Sequence, residues 1–149
     1  MAERVALVTG AGRGLGRVMA LALLRAGHRV FLTSTDKASL QETERAGNAG
    51  ERAAFATADL ADERNLAGLV DAAEKAFGKI DILVNNAATP DPRSHPPLDL
   101  ELKQIRRMFE INTFAPIRLS QFPGCRRLRT TFSGRILASQ PRGSDWVLG

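Results

Sequence analysis

Thr9-Gly10-Ala11-Gly12-Arg13-Gly14-Leu15-Gly16 decides how this chain folds. Before it stands Val5-Ala6-Leu7-Val8, an apolar run of the kind a strand buried on both faces needs. After it, Leu15, Val18, Met19, Ala22 and Ala26 recur at the spacing of one face of an amphipathic helix. Strand, glycine turn and helix together predict a phosphate cradle. Glycine lets the backbone adopt conformations that a side chain forbids, and lets a pyrophosphate approach the N–H groups at the positive end of the helix. Gly12, Gly14 and Gly16 fit G-x-G-x-G, and Gly10, Gly14 and Gly16 fit T-G-x-x-x-G-x-G. The stricter G-x-G-x-x-G is not matched.

Outward from the turn, the chain alternates. Gly27 closes the first helix, and Arg29-Val30-Phe31-Leu32-Thr33 is the second strand. Asp36 caps a polar helix over 37–47, and Ala53-Ala54-Phe55-Ala56 is the third strand. Asp62 caps a helix whose Leu66, Leu69, Val70, Ala73 and Phe77 share a face, with Gly78 as its stop. Ile80 to Val84 is the fourth strand, running into Asn85-Asn86-Ala87-Ala88. The proline-rich residues 89–97 form a loop. From Asp99 a long helix carries Leu102, Ile105 and Phe109 on one face, and Pro116 bends or breaks it. A fifth strand is expected at 134–138. Strands alternating with helices predict an α/β doubly wound parallel sheet of Rossmann type, with strand order 3-2-1-4-5 and the later strands missing.

The bulk properties exclude several classes. The 149 residues are 44% hydrophobic and 25% charged, ordinary values for one globular domain. No run approaches the ~20 apolar residues of a membrane span, and no signal peptide opens the chain, so no membrane partner and a cytoplasmic location are expected. The single Cys125 and the isolated His28 and His95 offer no metal site. The net charge of +5 is not spread along the chain. Residues 1–117 hold 15 Lys/Arg and 15 Asp/Glu, whereas 118–149 hold six arginines against Asp145 alone. That division separates a nucleotide-binding domain at 1–120 from a basic tail at 121–149. The tail lacks a nucleic-acid reader motif, which disfavours nucleic acid as a partner.

Four segments, in order and spacing, resemble the short-chain dehydrogenase/reductases, a Rossmann family of NAD(P)-dependent oxidoreductases. Thr9–Gly16 resembles the family's glycine motif, and Asp59-Leu60 the pair flanking the adenine ring. Asp81-Ile82-Leu83-Val84-Asn85-Asn86-Ala87 resembles D-x-L-V-N-N-A-G, with Ala88 in place of the glycine. Ile111-Asn112 resembles the helical asparagine of the catalytic tetrad. The resemblance implies hydride transfer between a nicotinamide dinucleotide and a small carbonyl or alcohol substrate. It also implies that Gly10, Gly12, Arg13, Gly14, Leu15, Gly16, Thr35, Asp59, Leu60, Asn86, Ala87 and Ala88 contact the cofactor. Each also has a reading of its own. Asp59 can accept from an adenine amino group or cap a helix, and Asn86 can touch a ribose or fix a turn. At the end of the second strand stand Ser34 and Thr35 in place of the acidic residue that binds the adenosine ribose in NAD enzymes. With Arg13 in the turn, NADP(H) is expected, while Asp36 keeps NAD(H) open.

The resemblance fails at the catalytic end. The family's proton donor is a tyrosine in Y-x-x-x-K; this chain has no tyrosine, and no lysine beyond Lys103. The family's serine falls at Pro141, and Ser139 serves only after realignment. Asn112 and Ser139 are therefore the remaining candidate catalytic positions. A front portion of a longer enzyme, truncated or frame-disturbed after about residue 120, is the favoured reading; a non-catalytic nucleotide-binding module acting as sensor or partner surface is the alternative. An open sheet edge also implies a homo-oligomer or aggregation.

Overall fold

Val5–Thr9 forms the first strand, β1, with all five residues buried, as a central parallel strand requires. The computed structural model describes residues 2–89 and 101–122, and the strand backbone at 129–132 and 135–138. β1 leads through the glycine turn into α1 (Gly14–Arg25), then β2 (Arg29–Ser34), α2 (Lys37–Gly47) and β3 (Ala53–Thr57). There follow α3 (Arg64–Phe77), β4 (Ile82–Asn85) and α4 (Leu102–Phe109). A π-helical turn (Glu110–Phe114) continues into α5 (Ala115–Gln121), and β5 (Arg129–Phe132) and β6 (Arg135–Ala138) close the sheet. The sheet order is β3-β2-β1-β4-β5-β6. β1 to β5 run parallel, in registers such as Leu7↔Phe31 and Leu7↔Leu83.

Alternation along the strands divides the core in two. Val5, Leu7, Phe31 and Leu83 face α3 and α5, where Leu66, Leu69, Val70, Ala73, Ala115 and Leu119 meet them. Ala6, Val8, Val30, Leu32 and Val84 face α1 and α2, against Ala20, Leu24 and Leu40. Each fully buried leucine in these layers contributes about 1.5–3 kcal/mol by leaving water. A further tie closes the centre: Val5 N–H donates to the Asp81 carboxylate at 3.0 Å, and Asp81 N–H donates to Val5 C=O at 2.8 Å. Asp81 therefore aligns the start of β1 with the entrance to β4.

Several expectations about local structure need correction. α1 does not bury the face that includes Leu15, Val18, Ala22 and Ala26; Leu15 and Val18 are exposed. Its buried stripe is Gly16, Ala20 and Leu24. The helix approaches the turn and sheet so closely at its start that only small residues fit beneath it. Asp36 does cap α2, accepting from Ala38 and Ser39 N–H. Asp62 lies one residue before the cap position of α3 and accepts instead from Arg64, through both its backbone and its guanidinium.

The long helix expected from Asp99 starts, among the described residues, at Leu102, with a capping box between Glu101 and Gln104. Leu102 and Phe109 are exposed rather than buried; beyond them comes the π turn, and the buried apolar positions are Ile111, Ala115 and Leu119. Pro116 sits in the first turn of α5 and has no N–H to give to the carbonyl of Asn112. The chain widens there instead, and Ala115 N–H reaches back to the Glu110 carbonyl. The fifth strand also moves. The parallel neighbour of β4 is Arg129–Phe132, and the expected 134–138 strand is β6, antiparallel to β5. Only two residues separate them, a length that permits an antiparallel hairpin and no parallel crossover. The proline-rich segment 90–97 and Ser139 lie outside the described residues.

Candidate functional site

The carboxyl ends of β1, β2 and β4 converge on one cleft of about 510 Å³. The glycine turn forms its floor, and its shape explains the glycines. Gly10 and Gly14 have φ of 65° and 55°, the left-handed region that a side chain disfavours. At Gly16 a Cβ would overlap the Gly10 carbonyl oxygen and Asn86 Nδ2; at Gly12 it would overlap Ser39 Oγ. Ala11 N–H donates to Thr33 C=O at 3.0 Å, which ties the turn to the end of β2.

Two polar clusters hold this floor. Thr9 Oγ1 donates to the Val84 carbonyl and accepts from Asn86 and Ala87 N–H, both at 3.0 Å. Asn86 Nδ2 donates to the carbonyls of Thr9 and Gly10, at 3.0 and 3.3 Å. The turn after β4 is thus locked onto the turn after β1. On the other side, the Arg17 guanidinium donates to Gly12 C=O at 2.6 and 3.0 Å and also holds Thr43 Oγ1 and Glu42. Thr43 Oγ1 in turn donates to Ala11 C=O. With its carbonyls engaged behind it, the turn directs its remaining backbone toward the cleft.

Arg13, Thr35, Asp59, Leu60, Asn86, Ala87 and Ala88 all line the cleft, with Gly10, Gly12 and Gly14. Gly16 and Leu15 do not: Gly16 is packed behind the turn, and Leu15 begins the exposed side of α1. Asn112 stands just outside, where its Oδ1 accepts from Thr89 N–H at 3.1 Å and so pins the π turn to the wall. Asp36, which also lines the cleft, has both carboxylate oxygens engaged by the N–H groups of Ala38 and Ser39.

Sequence reasoning missed Arg17, Thr33, Ser39, Ala58, Thr89, Arg107 and Ile111. Arg17 carries a signal in hindsight, lying one residue past the last glycine on the side of α1 that faces α2. Arg107 carries none, being 48 residues from its partner. Its Nη2 lies 3.0 Å from both Asp59 oxygens, while Asp59 Oδ1 also accepts from Ala61 N–H at 3.0 Å. The Arg107 hydrogen bond holds the Asp59 carboxyl below the ordinary carboxylate range, helped by the Ala61 N–H and opposed by partial burial and by Asp62. The hydroxyls of Thr33 and Thr89, both in the cleft wall, are buried without a partner, as are both side-chain atoms of Asn85.

A parallel sheet wound on both faces, with a glycine turn at the centre of its carboxyl edge, defines a Rossmann-type α/β domain. Its relatives agree with that class. The family described as short chain dehydrogenase matches residues 4–138, and the chain belongs to the short-chain dehydrogenase/reductase family. It is 34% identical over 119 residues to a 7alpha-hydroxysteroid dehydrogenase of Escherichia coli, covering 79% of this chain and 46% of that one. Among solved structures, L-sorbose reductase of Gluconobacter frateurii, complexed with NADPH and L-sorbose, superposes with a TM-score of 0.76 at 26% identity, over 85% of this chain and 49% of that one. A metagenomic short-chain oxidoreductase in complex with NADP gives 0.72 at 33% identity, over 79% and 53%. This chain spans about half the length of curated relatives such as these. Among the described residues, no helix is long and apolar enough to cross a membrane.

Proposed function

We propose that this chain binds NADP(H) in the cleft above the glycine turn, and that the protein it represents transfers hydride between that cofactor and a small carbonyl or alcohol substrate. The fit of the residues to a dinucleotide supports the first part. The turn takes left-handed conformations at Gly10 and Gly14 that a Cβ resists, and α1 begins directly behind it. Two orphaned hydroxyls, on Thr33 and Thr89, wait in the walls for polar partners. Bound there, the cofactor supplies the hydride donor or acceptor. The chain's own residues bind and orient it: the turn and the start of α1 take the pyrophosphate, Asp59 the adenine amino group, and Asn86 to Ala88 the nicotinamide ribose.

The choice of NADP(H) over NAD(H) rests on one observation. The carboxylate of Asp36, the acidic group nearest the end of β2, is committed to capping α2. One acceptor position on each oxygen is thereby taken, which makes this carboxylate a poorer partner for the two ribose hydroxyls than an uncommitted one. Arg13 lines the same part of the cleft, and among the described residues no carboxylate pairs with it. A guanidinium so placed suits a phosphate.

Isothermal titration with NADPH and NADH tests this. NADPH should bind more tightly, and Arg13→Ala should narrow the gap by about 10- to 100-fold, the worth of a charge-assisted hydrogen bond. Equal affinities, or a gap unchanged in Arg13→Ala, would overturn the assignment.

The substrate half of the proposal rests on family membership. The chain contains neither a tyrosine nor a Y-x-x-x-K, so the proton donor of the family reaction is not supplied by these residues. Asn112, through Thr89, braces the wall on the nicotinamide side of the cleft. Ser139 remains a candidate for positioning the substrate oxygen.

A further inference from the structure

From the Asp59–Arg107 pair, we infer that Arg107 selects the base of the dinucleotide by fixing the rotation of the Asp59 carboxylate, so that the cleft accepts adenine and rejects a base with an oxo group in place of the amino group. This rests on the reading of the cleft as a dinucleotide site with Asp59 at the adenine end. Arg107 is not part of the resemblance that identifies the family. It reaches the cleft from α4, and only the fold brings it to Asp59.

The lone pairs set the selection. A carboxylate has about four acceptor positions. In Asp59, Ala61 N–H and Arg107 Nη2 both donate to Oδ1, each at 3.0 Å, and the same Nη2 lies 3.0 Å from Oδ2 as an ion-pair contact. Oδ2 keeps its acceptor positions free of hydrogen bonds, and it can only accept. An adenine amino group donates to it. Hypoxanthine presents an oxo oxygen there, which the carboxylate repels, and its nearest donor is the adjacent ring N–H. Reaching that N–H requires the carboxylate to rotate, and rotation breaks the contacts to Arg107 on one side and Ala61 on the other. With Arg107 removed, one anchor remains at Ala61, and the carboxylate is free to follow either base.

The pair is half exposed, so its effect on folding is small. The side chains of Arg107 and Asp59 are 48% and 40% accessible, and an ion pair in such a setting adds little to stability. A role in selection is therefore separable from a structural one. Arg107 acts through Asp59 as a positioning residue.

The experiment titrates the 149-residue chain with NADPH and with its hypoxanthine analogue, in the unaltered form and as Arg107→Ala and Arg107→Lys, with thermal unfolding of each. The unaltered chain should prefer NADPH by about tenfold or more. Arg107→Ala should bring the two ligands within about threefold of each other with an unchanged melting temperature. Arg107→Lys, which restores the charge and one donor, should recover part of the preference. A ratio unchanged in Arg107→Ala would overturn the role of Arg107 while leaving dinucleotide binding standing. An equal gain in affinity for both ligands would also overturn it, by showing that Arg107 only obstructs the cleft. Absence of NADPH binding by the unaltered chain would overturn both this inference and the reading beneath it.

Discussion

Gly16→Ala is the sharpest test of how the cleft is built. Gly16 lies on the buried stripe of α1, and an added methyl would overlap the Gly10 carbonyl oxygen and Asn86 Nδ2, with the Gly10 carbonyl carbon at 2.8 Å. Two of these three atoms are backbone, in a turn held by Ala11 to Thr33 and by Arg17 to Gly12. Relief requires α1 to lift or the Asn86 amide to leave Gly10. Overpacking of this kind costs about 1–3 kcal/mol, and losing the Asn86–Gly10 hydrogen bond adds about 1 kcal/mol. For a domain of this size, about 2–4 °C of melting temperature follows each kcal/mol, so the midpoint should fall by roughly 4–16 °C.

Gly12→Ala supplies the contrast. Its methyl would meet Ser39 Oγ and Cβ, the side chain of a helix surface residue, so Gly12→Ala/Ser39→Gly should recover most of the loss. No single partner substitution rescues Gly16→Ala. Thermal unfolding followed by circular dichroism, paired with NADPH titration, reads both effects. A melting temperature for Gly16→Ala within 1 °C of the unaltered chain, with full NADPH affinity, would refute the close approach of α1 to the turn.

Two other predictions follow from the site. Asp59 has a depressed carboxyl pKa in the folded state, so the stability it contributes is fully present above the ordinary value of 3.8 and is lost as pH falls through the lower folded value. NADPH affinity should accordingly stay level from neutral pH down to about pH 5 and fall only below the ordinary carboxylate range, and Arg107→Ala should shift that fall upward; an acid limb that ignores Arg107→Ala would contradict the pairing. The purified chain should show no NADPH-dependent reduction of aldehydes or ketones even where cofactor binds, because a positioned proton donor contributes about 10²–10⁴-fold and no tyrosine is present to be one. Turnover abolished by Gly14→Val would reveal a different acid.

The sequence alone determined the elements that depend on neighbours close in the chain. The first four strands, the cap at Asp36, the left-handed glycine at Gly27, and the order of the central strands follow from local preference and from the handedness of crossovers. Local apolar spacing also named the inward face of α3 correctly, with Leu66, Leu69, Val70 and Ala73 buried. It misled at α1, where close approach to the turn puts Gly16 and Ala20 beneath the helix and leaves Leu15 and Val18 outside. It misled again at Leu102 and Phe109, which are exposed, while the buried positions lie in and after the π turn at Ile111, Ala115 and Leu119. The glycine floor and Asp59 were legible as motifs. Arg17 and Arg107 were not, since hydrogen bonds to Gly12 and Asp59 are made across helices that only the folded sheet brings together.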